Sequence, residues 1–351
     1  MKKFLNFILK LFISLFILYF IFLEVDFRSV FEAIKRVNLF DFLVALIIIF
    51  VCWVINSKKW QLLLEFLGFK EKLFSLFRLN LISLFYTVIL PGGQLTGETI
   101  KCYKITRGSE EKGKLILSVF MDRLTGFWAI VFLGLVGILF SRSTIGSYDG
   151  IFGLYLALAA GCLITMIFFN WRISSLLERI CLVLESKIRN EKIRSFFKKI
   201  LGLFLAFKGA YKILSISLVY GLVYQLLNSL CIYFLFLSLN LKLTFFDLLW
   251  INTLASVVNL IPITILGLGL REGSFLFLLG LIGFTSAQAL SLSLLISIIY
   301  LMNGLVGGAI GDGLIVDFAR HNRQITDLNL EKRTVRVGAG VVLDQLNALL
   351  K

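Results

Sequence analysis

The sequence predicts an all-α, polytopic membrane protein, and three observations lead to that prediction. The 351 residues are 59% hydrophobic, with a mean hydropathy of +0.93, which is too apolar for a soluble globular protein. The apolar stretches are continuous, whereas the strands of a membrane β-barrel alternate apolar and polar residues. Six stretches are long enough to cross a hydrocarbon core of about 30 Å as helices. They are residues 4–23, 39–56, 115–140, 151–170, 213–239 and 287–310.

Two further apolar stretches are interrupted by proline. Residues 73–90 end at Pro91 and residues 244–261 end at Pro262, and these are the two prolines of the chain. Proline lacks a backbone N–H and clashes with the preceding helical turn, and glycine tolerates unusual dihedral angles. The sequence therefore predicts a helix break in each segment, at Pro91, Gly97, Pro262, Gly267 and Gly269.

The basic residues predict the topology. Segments 57–72, 101–114 and 171–212 are rich in lysine and arginine, whereas 141–150 and 240–243 carry one base each. By the positive-inside rule the first three segments are cytoplasmic, as are both chain termini, and the last two are external. Because segments 57–72 and 101–114 lie on the same side, the apolar run between them is predicted to be a re-entrant hairpin.

The second interrupted segment, "FFDLLWINTLASVVNLIPITILGLGLREG", repeats this pattern after an external segment. It is therefore predicted to enter the membrane from the outside. Two similar hairpins inserted from opposite faces indicate an inverted repeat, a plan that recurs in transporters, with the site near the interface of the repeats. We expect about six full crossings and two re-entrant hairpins.

Charged side chains at membrane depth are costly, at about 2.5–3.5 kcal/mol each on insertion scales, so they usually face a cavity or a partner. Charged residues follow both predicted breaks, and a further charged pair lies in the predicted crossing at residues 115–140. The candidate substrate-binding residues are Gly92, Gly93, Glu98, Lys101, Lys104, Asp122, Arg123, Arg271 and Glu272.

These residues suit an anionic headgroup. Arginine binds phosphate with two parallel hydrogen bonds, and helix N-termini attract anions. Glu98 would hold a cationic group or couple to a proton, while Lys101 and Lys104 would hold the anion. Each group also has a purely structural explanation. Glu98 could be a first-turn acid followed by lysines at the membrane edge, and Asp122–Arg123 could be an ion pair at the membrane interface. Arg271–Glu272 could be a salt bridge that stabilises the second hairpin. Other polar residues of these segments are expected to cap or cross-link helices; they are Arg78, Asn80, Asn252 and Asn303.

The composition argues against several functional classes. The five cysteines are scattered and the chain has a single histidine, His321, so no disulfide framework, metal site or cofactor is expected. The net charge of +15 could suggest nucleic acid. The bases lie between apolar runs, however, which favours contact with anionic lipid and excludes a nucleic-acid partner.

Three motifs resemble a known family. "PGGQLTGETIK" (91–101), "DRLTG" (122–126) and "PITILGLGLREG" (262–273) resemble the flippase-like membrane domain found at the N-terminus of lysylphosphatidylglycerol synthases, which also occurs as stand-alone proteins. The resemblance covers residues 1–310. Lys101 stands where the family usually has arginine, and Thr96 where it has glycine. The resemblance implies movement of a phospholipid, glycolipid or polyprenyl-linked lipid between leaflets, without synthase activity.

Residues 312–351 differ in character from the rest of the chain. The stretch from "GLIVDF" to "RTVRVGAGVVLDQLNALL" resembles part of the FAD-binding domain of FAD-linked oxidases. So short a segment cannot enclose a flavin, so no FAD binding is expected. We interpret residues 311–351 as a short cytoplasmic tail that a gene fusion or a chimeric assembly joined to the membrane domain near Gly307–Gly313.

The sequence thus predicts a cell-membrane protein that translocates an anionic phospholipid, glycolipid or polyprenyl-phosphate-linked lipid. Two alternatives remain open. Glu98, Asp122 and Glu272 could act as acid–base groups of an enzyme that modifies a lipid headgroup. The basic segment 171–212 could instead bind a lipid-synthesis enzyme, and a homo-oligomer is also possible.

Overall fold

The computed structural model describes residues 19, 25–90, 93–141, 149–167, 169, 206–207, 209–260, 269–310, 325–329 and 334–337. The chain divides into two compact units, residues 1–310 and residues 311–351. In the second unit, β1 (Ile325–Asn329) pairs with β2 (Thr334–Val337) in an antiparallel ladder in which Ile325 lies opposite Val337.

All the regular secondary structure in the described part of the first unit is helical. Its helices are α1 (Phe27–Lys35), α2 (Leu39–Phe66), α3 (Leu73–Ile89), α4 (Gln94–Thr106), α5 (Lys112–Phe140), α6 (Asp149–Ile167), α7 (Tyr211–Ser238), α8 (Phe245–Asn259), α9 (Leu270–Leu281) and α10 (Ser286–Ile310).

Five of the described helices are long and apolar enough to cross a membrane, namely α2, α5, α6, α7 and α10. They coincide with five of the six predicted crossings, so the prediction of a polytopic all-α membrane protein is confirmed. Apart from Tyr19, the predicted crossing at residues 4–23 lies outside the described residues. One boundary was wrong: α2 continues to Phe66, so Lys58 and Lys59 belong to a helix and not to a loop.

The two interrupted segments form pairs of consecutive helices that pack on each other, α3 with α4 and α8 with α9. Gly93 precedes α4 with a φ of 54° and Gly269 precedes α9 with a φ of 83°. Side chains rarely permit such angles, which explains why glycine stands where each second helix begins. The predicted breaks at Pro91, Pro262 and Gly267, like Gly92, lie outside the described residues. The face from which each hairpin enters the membrane stays a prediction.

Gly97 does not lie at a break, contrary to the prediction. It lies inside α4, where the helix touches α3. A Cβ atom at this position would lie 2.0 Å from Thr87 Oγ1 and 2.5 Å from the backbone oxygen of Ser83. Glycine is therefore needed here because the two helices of the hairpin approach each other closely.

Helices α2–α5 and α7–α10 repeat one pattern of contacts. Helices α2 and α7 both have 28 residues, and they pack on each other. Helix α3 of the first hairpin packs on α10, and α8 of the second hairpin packs in the same way on α5. Each half therefore completes the other, which is the exchange of contacts expected for two repeats.

The same tetrapeptide, "GLVG", makes both of these exchanged contacts, at residues 134–137 in α5 and 304–307 in α10. A Cβ atom on Gly137 would lie 2.8 Å from the backbone nitrogen of Trp250 in α8, and one on Gly307 would lie 2.0 Å from the backbone oxygen of Leu81 in α3. Small residues let membrane helices approach closely. The glycines thus explain why the two helix pairs pack alike.

One hydrogen bond in the first repeat has an equivalent in the second, and both of its partners lie the same number of residues further along the chain. Asn80 Nδ2 donates to Ser57 Oγ at 2.9 Å, and Asn252 Nδ2 donates to Ser229 Oγ at 2.9 Å. The interpretation of these asparagines as cross-links between helices agrees with both bonds. Arg78 Nη2 likewise donates to the backbone oxygen of Ile310, at 2.9 Å.

We expect Ser57→Ala and Ser229→Ala to destabilise the protein by similar amounts. Hydrogen bonds between membrane helices are worth about 0.6 kcal/mol on average, so each change should lower the unfolding free energy by roughly that value. Reversible denaturation in mixed micelles measures the loss. Ser75→Ala at an exposed position of α3 is the control, and a loss confined to one of the two buried serines would contradict the equivalence.

Candidate functional site

A cavity of about 760 Å³ lies in the described part of the first unit, and residues of both hairpins line it. Four cationic and two anionic side chains contribute to its wall, so the wall carries an excess of positive charge. These residues are Lys59, Glu98, Lys101, Asp122, Arg123 and Arg271.

Asp122 of α5 bridges two buried lysines. Its Oδ1 lies 3.1 Å from Lys59 Nζ of α2, and its Oδ2 lies 3.4 Å from Lys101 Nζ of α4. All three side chains are at most 4% exposed. Lys59 Nζ also donates to the backbone oxygen of Asp122 at 2.8 Å. A buried charge requires partners of this kind, and here one carboxylate joins three helices.

The position of Lys101 is further defined by an aromatic ring. Lys101 Nζ lies 4.0 Å from the centre of the Trp60 ring, which is a favourable cation–π contact. Trp60 Nε1 in turn donates to Ser118 Oγ of α5 at 3.1 Å. Lys101 is thus held from two sides, so its ammonium group is not free to follow a ligand.

Arg123, next to Asp122 on the same helix, has a different surrounding. Adjacent helical residues point about 100° apart, so Arg123 turns away from the lysines and pairs with Glu98 of α4. The side chain of Arg123 is 45% exposed. Within the described part of the chain, Glu98 Oε2 has no hydrogen-bond partner. This pair can therefore open towards a ligand more readily than the lysine cluster.

Arg271 and Glu272 lie in the first turn of α9 and have separate roles. Glu272 Oε2 accepts a hydrogen bond from the Gly269 backbone nitrogen at 2.8 Å, which caps the helix. Glu272 Oε1 accepts one from Arg271 Nη2, also at 2.8 Å. Arg271 Nη2 also contacts Ser297 Oγ of α10. Glu272 is 3% exposed, whereas Arg271 lines the cavity. The acid thus orients the arginine.

The structure brings most of the predicted residues to one place. Gly93 lines the cavity together with five of the predicted charged residues, Glu98, Lys101, Asp122, Arg123 and Arg271. Lys104 lies further along α4, outside the cavity wall, and is partly exposed. Gly92 lies outside the described residues.

Sequence reasoning missed Lys59. Its place beside Lys58, after a long apolar run, suggested a cytoplasmic loop. The following residues, "WQLLLEFL" (60–67), are again largely apolar, and this pattern could have shown that the helix continues. A lysine within such a helix would then have required a carboxylate partner.

Most of the uncharged part of the wall was missed as well, although Asn80 and Asn252, which the sequence singled out as polar residues of the hairpins, line the cavity. Tyr300 donates from its hydroxyl to Asn228 Oδ1 at 3.3 Å, and several other amides line the cavity. Neutral side chains carry no strong sequence pattern in an apolar helix. Among the residues that the structure describes, no group of three His, Cys, Asp or Glu side chains could hold a metal ion.

Short matches relate the chain to curated dehydrogenases. The D-2-hydroxyglutarate dehydrogenases of Pseudomonas putida, Pantoea ananatis and Escherichia coli are 52%, 54% and 50% identical to it over 48 residues. These residues make up 14% of this chain, and the chain spans about 5% of the length of each dehydrogenase. The match shows similarity of one short segment.

One family match covers almost all of the first unit, residues 1–310. The model of the lysylphosphatidylglycerol synthase TM region matches residues 7–307, which include all ten described helices up to the last turn of α10. The resemblance inferred from the three motifs is confirmed. The chain belongs to the lysylphosphatidylglycerol synthase TM region family.

Proposed function

We propose that the protein moves an anionic lipid between the two leaflets of the cell membrane, with the lipid phosphate bound in the cavity. One observation carries the proposal: both hairpins contribute to a single cavity whose wall holds four cations and two carboxylates. Membership of the family supports a role in lipid handling. The two hairpins and the repeat favour transport, because transporter sites commonly lie where repeats meet.

The two arginines are the groups best placed to bind phosphate. Arg123 and Arg271 have side chains that are 45% and 20% exposed, whereas Lys59 and Lys101 are locked to Asp122. Arg123 is paired with Glu98, which a phosphate can replace, whereas Arg271 is oriented by the buried Glu272 and lines the cavity. Guanidinium binds phosphate with two parallel hydrogen bonds, so exchange between carboxylate and phosphate would allow both capture and release.

The outer surface is suited to keeping the acyl chains in the bilayer. Large apolar side chains are widely exposed on the helices, including Phe40 (71%), Phe74 (69%) and Phe277 (66%). A charged headgroup at the bilayer centre is costly without partners. The cavity would lower that barrier for the headgroup alone while the acyl chains follow the lipid-facing surface.

We place the protein in the membrane as a multi-pass protein with both termini in the cytoplasm. The support for this orientation is the distribution of bases, which concentrates lysine and arginine in segments 57–72, 101–114 and 171–212. Lys59 and Lys101 are buried at the cavity, but the other bases of these segments still outnumber the single base in each of segments 141–150 and 240–243. In this orientation the first hairpin opens from the cytoplasm and the second from outside. The two repeats are then inverted.

We expect Arg271→Ala and Glu98→Gln to slow lipid movement at least tenfold while the protein still folds. Arg271→Ala removes a phosphate ligand. Glu98→Gln removes the charge that competes for Arg123, so a bound phosphate is released slowly. The measurement is dithionite quenching of acyl-labelled fluorescent phosphatidylglycerol in liposomes that contain the purified protein.

The matched control is Arg28→Ala, because this change also removes one positive charge but at a side chain that is 86% exposed. Unchanged lipid movement in both cavity variants would contradict the proposal. Formation of a modified headgroup in detergent, where no second compartment exists, would instead assign the site to an enzyme.

A further inference from the structure

Helices α2 and α7 present four uncharged polar side chains to the cavity. Trp53 and Asn56 lie on α2, and Gln225 and Asn228 lie on α7. Each pair has the i,i+3 spacing that places both members on one helix face. Trp53 is separated from Gln225, and Asn56 from Asn228, by the same number of residues that separates Ser57 from Ser229, the two serines of the recurring Asn–Ser bonds. The two pairs therefore occupy equivalent positions in the two repeats.

Two of these side chains have a hydrogen-bond donor without a protein acceptor. Trp53 Nε1 and Gln225 Nε2 are buried and have no hydrogen-bond partner in the described part of the chain. Gln225 is only 3% exposed and lines the cavity. A buried donor that stays unpaired destabilises a protein, so two such donors on one cavity wall indicate that a ligand or water accepts from them.

The chemistry of these groups indicates an uncharged ligand part. An amide side chain offers donors and an acceptor together, and an indole offers an apolar face with one donor at its edge. A ring that carries several hydroxyl groups has the complementary surface, with apolar C–H faces and donors and acceptors around the rim. A carboxylate or an ammonium group would instead require a charged partner here.

This uncharged wall adjoins the charged one. Asn56 precedes Lys59 by three residues and Trp53 precedes it by six, which correspond to about 4.5 Å and 9 Å along a helix. Arg123 and Arg271, the proposed phosphate ligands, line the same cavity, so a ring attached to the bound phosphate shares the cavity with these side chains. We propose that Trp53, Asn56, Gln225 and Asn228 form a second subsite, which binds a polyhydroxylated ring carried by the lipid phosphate. The proposal rests on the proposed function for the phosphate end of the ligand.

The test is a set of binding measurements on the purified full-length protein, by native mass spectrometry in detergent. Phosphatidylmethanol supplies the phosphodiester alone, and phosphatidylinositol supplies the phosphodiester with a polyol ring. Monoglucosyl diacylglycerol supplies a ring without phosphate. Polyprenyl phosphate glucose supplies the same phosphate and ring chemistry on a different lipid. We expect phosphatidylinositol or polyprenyl phosphate glucose to bind at least tenfold more tightly than phosphatidylmethanol, and the tighter of the two identifies the lipid class.

The variants remove the two unpaired donors separately. Trp53→Phe and Gln225→Leu should each reduce the preference for the ring by about five- to tenfold, the value of one hydrogen bond, and leave phosphatidylmethanol binding within twofold. Trp250→Phe is the matched control. Trp250 Nε1 is also buried without a partner among the described residues, but Trp250 does not line the cavity.

Equal affinity for lipids with and without the ring would show that the ring contributes nothing to binding, and it would overturn the subsite. A preference that persists in both Trp53→Phe and Gln225→Leu would also overturn it. The phosphate end is tested separately by Arg271→Ala, which should weaken phosphatidylmethanol and phosphatidylinositol equally. If Arg271→Ala left the affinity for both lipids unchanged, the result would count against the proposed function. If the lipids with a ring bound no more tightly than phosphatidylmethanol, the result would count against the subsite.

Discussion

We expect Asp122→Asn to prevent stable folding of the membrane unit. The change leaves Lys59 and Lys101 without a carboxylate partner in a site where both side chains are at most 4% exposed. Loss of one partner from a buried ion pair destabilises a protein by about 3–5 kcal/mol. That is a large part of the roughly 5–15 kcal/mol by which native proteins are stable. The monodisperse fraction after detergent extraction and the midpoint of thermal unfolding measure the effect.

Two further variants separate loss of charge from loss of shape. Glu110→Gln makes the same chemical change at an exposed position and should leave the midpoint unchanged. The double variant Asp122→Asn/Lys59→Met removes one of the two unpaired cations and should recover part of the loss. If Asp122→Asn behaved like Glu110→Gln, the three-residue cluster would not contribute to the stability of the fold.

We expect Gly97→Ala to separate the helices of the first hairpin. The added Cβ would lie 2.0 Å from Thr87 Oγ1 and 2.5 Å from the backbone oxygen of Ser83. Overpacking of a well-packed contact destabilises proteins by about 1–3 kcal/mol, and here the displaced helix also carries Glu98 and Lys101. Both the thermal midpoint and the lipid transport rate should fall, the latter at least tenfold.

The double variant Gly97→Ala/Thr87→Ala tests which clash matters. Removal of the threonine side chain relieves the nearer contact, but the Ser83 oxygen belongs to the backbone and cannot move aside. We therefore expect no more than partial recovery. Gly161→Ala in α6 is the control, since no atom lies within 4 Å of the added methyl group. Full recovery in the double variant would show that the hairpin tolerates a wider separation.

Hydropathy was sufficient to predict the membrane-spanning helices. Long apolar runs require helices at membrane depth, and five of the predicted crossings coincide with α2, α5, α6, α7 and α10. Glu98, Asp122 and Arg271 could be predicted as site residues because charged residues are rare in apolar segments. Their convergence on one cavity agrees with the expectation that charges at membrane depth face each other.

The remaining parts of the site depend on contacts between distant residues. Lys59 becomes a buried partner of Asp122 only because α2 continues past the basic pair at residues 58–59 and packs near α5. Trp53 and Gln225 share a wall because α2 and α7 pack on each other although they are far apart in the sequence. Neither hydropathy nor charge spacing contains that information. The role of Glu272 as a helix cap follows from local backbone geometry, which the motif alone did not show.

The recurring Asn–Ser bonds and the two "GLVG" segments are what duplication of an ancestral segment leaves in a chain. The Asn–Ser bonds and the "GLVG" segments have the same residues in both copies, and so does the cavity position of Asn56 and Asn228, whereas other cavity positions differ. Where the first copy has Trp53, the second has Gln225. The first copy has the acid Asp122 ahead of its "GLVG" segment, and at the same spacing the second has the apolar Leu292. The residues that recur mark what the two copies share, and the residues that differ make the two halves of the cavity wall chemically unlike.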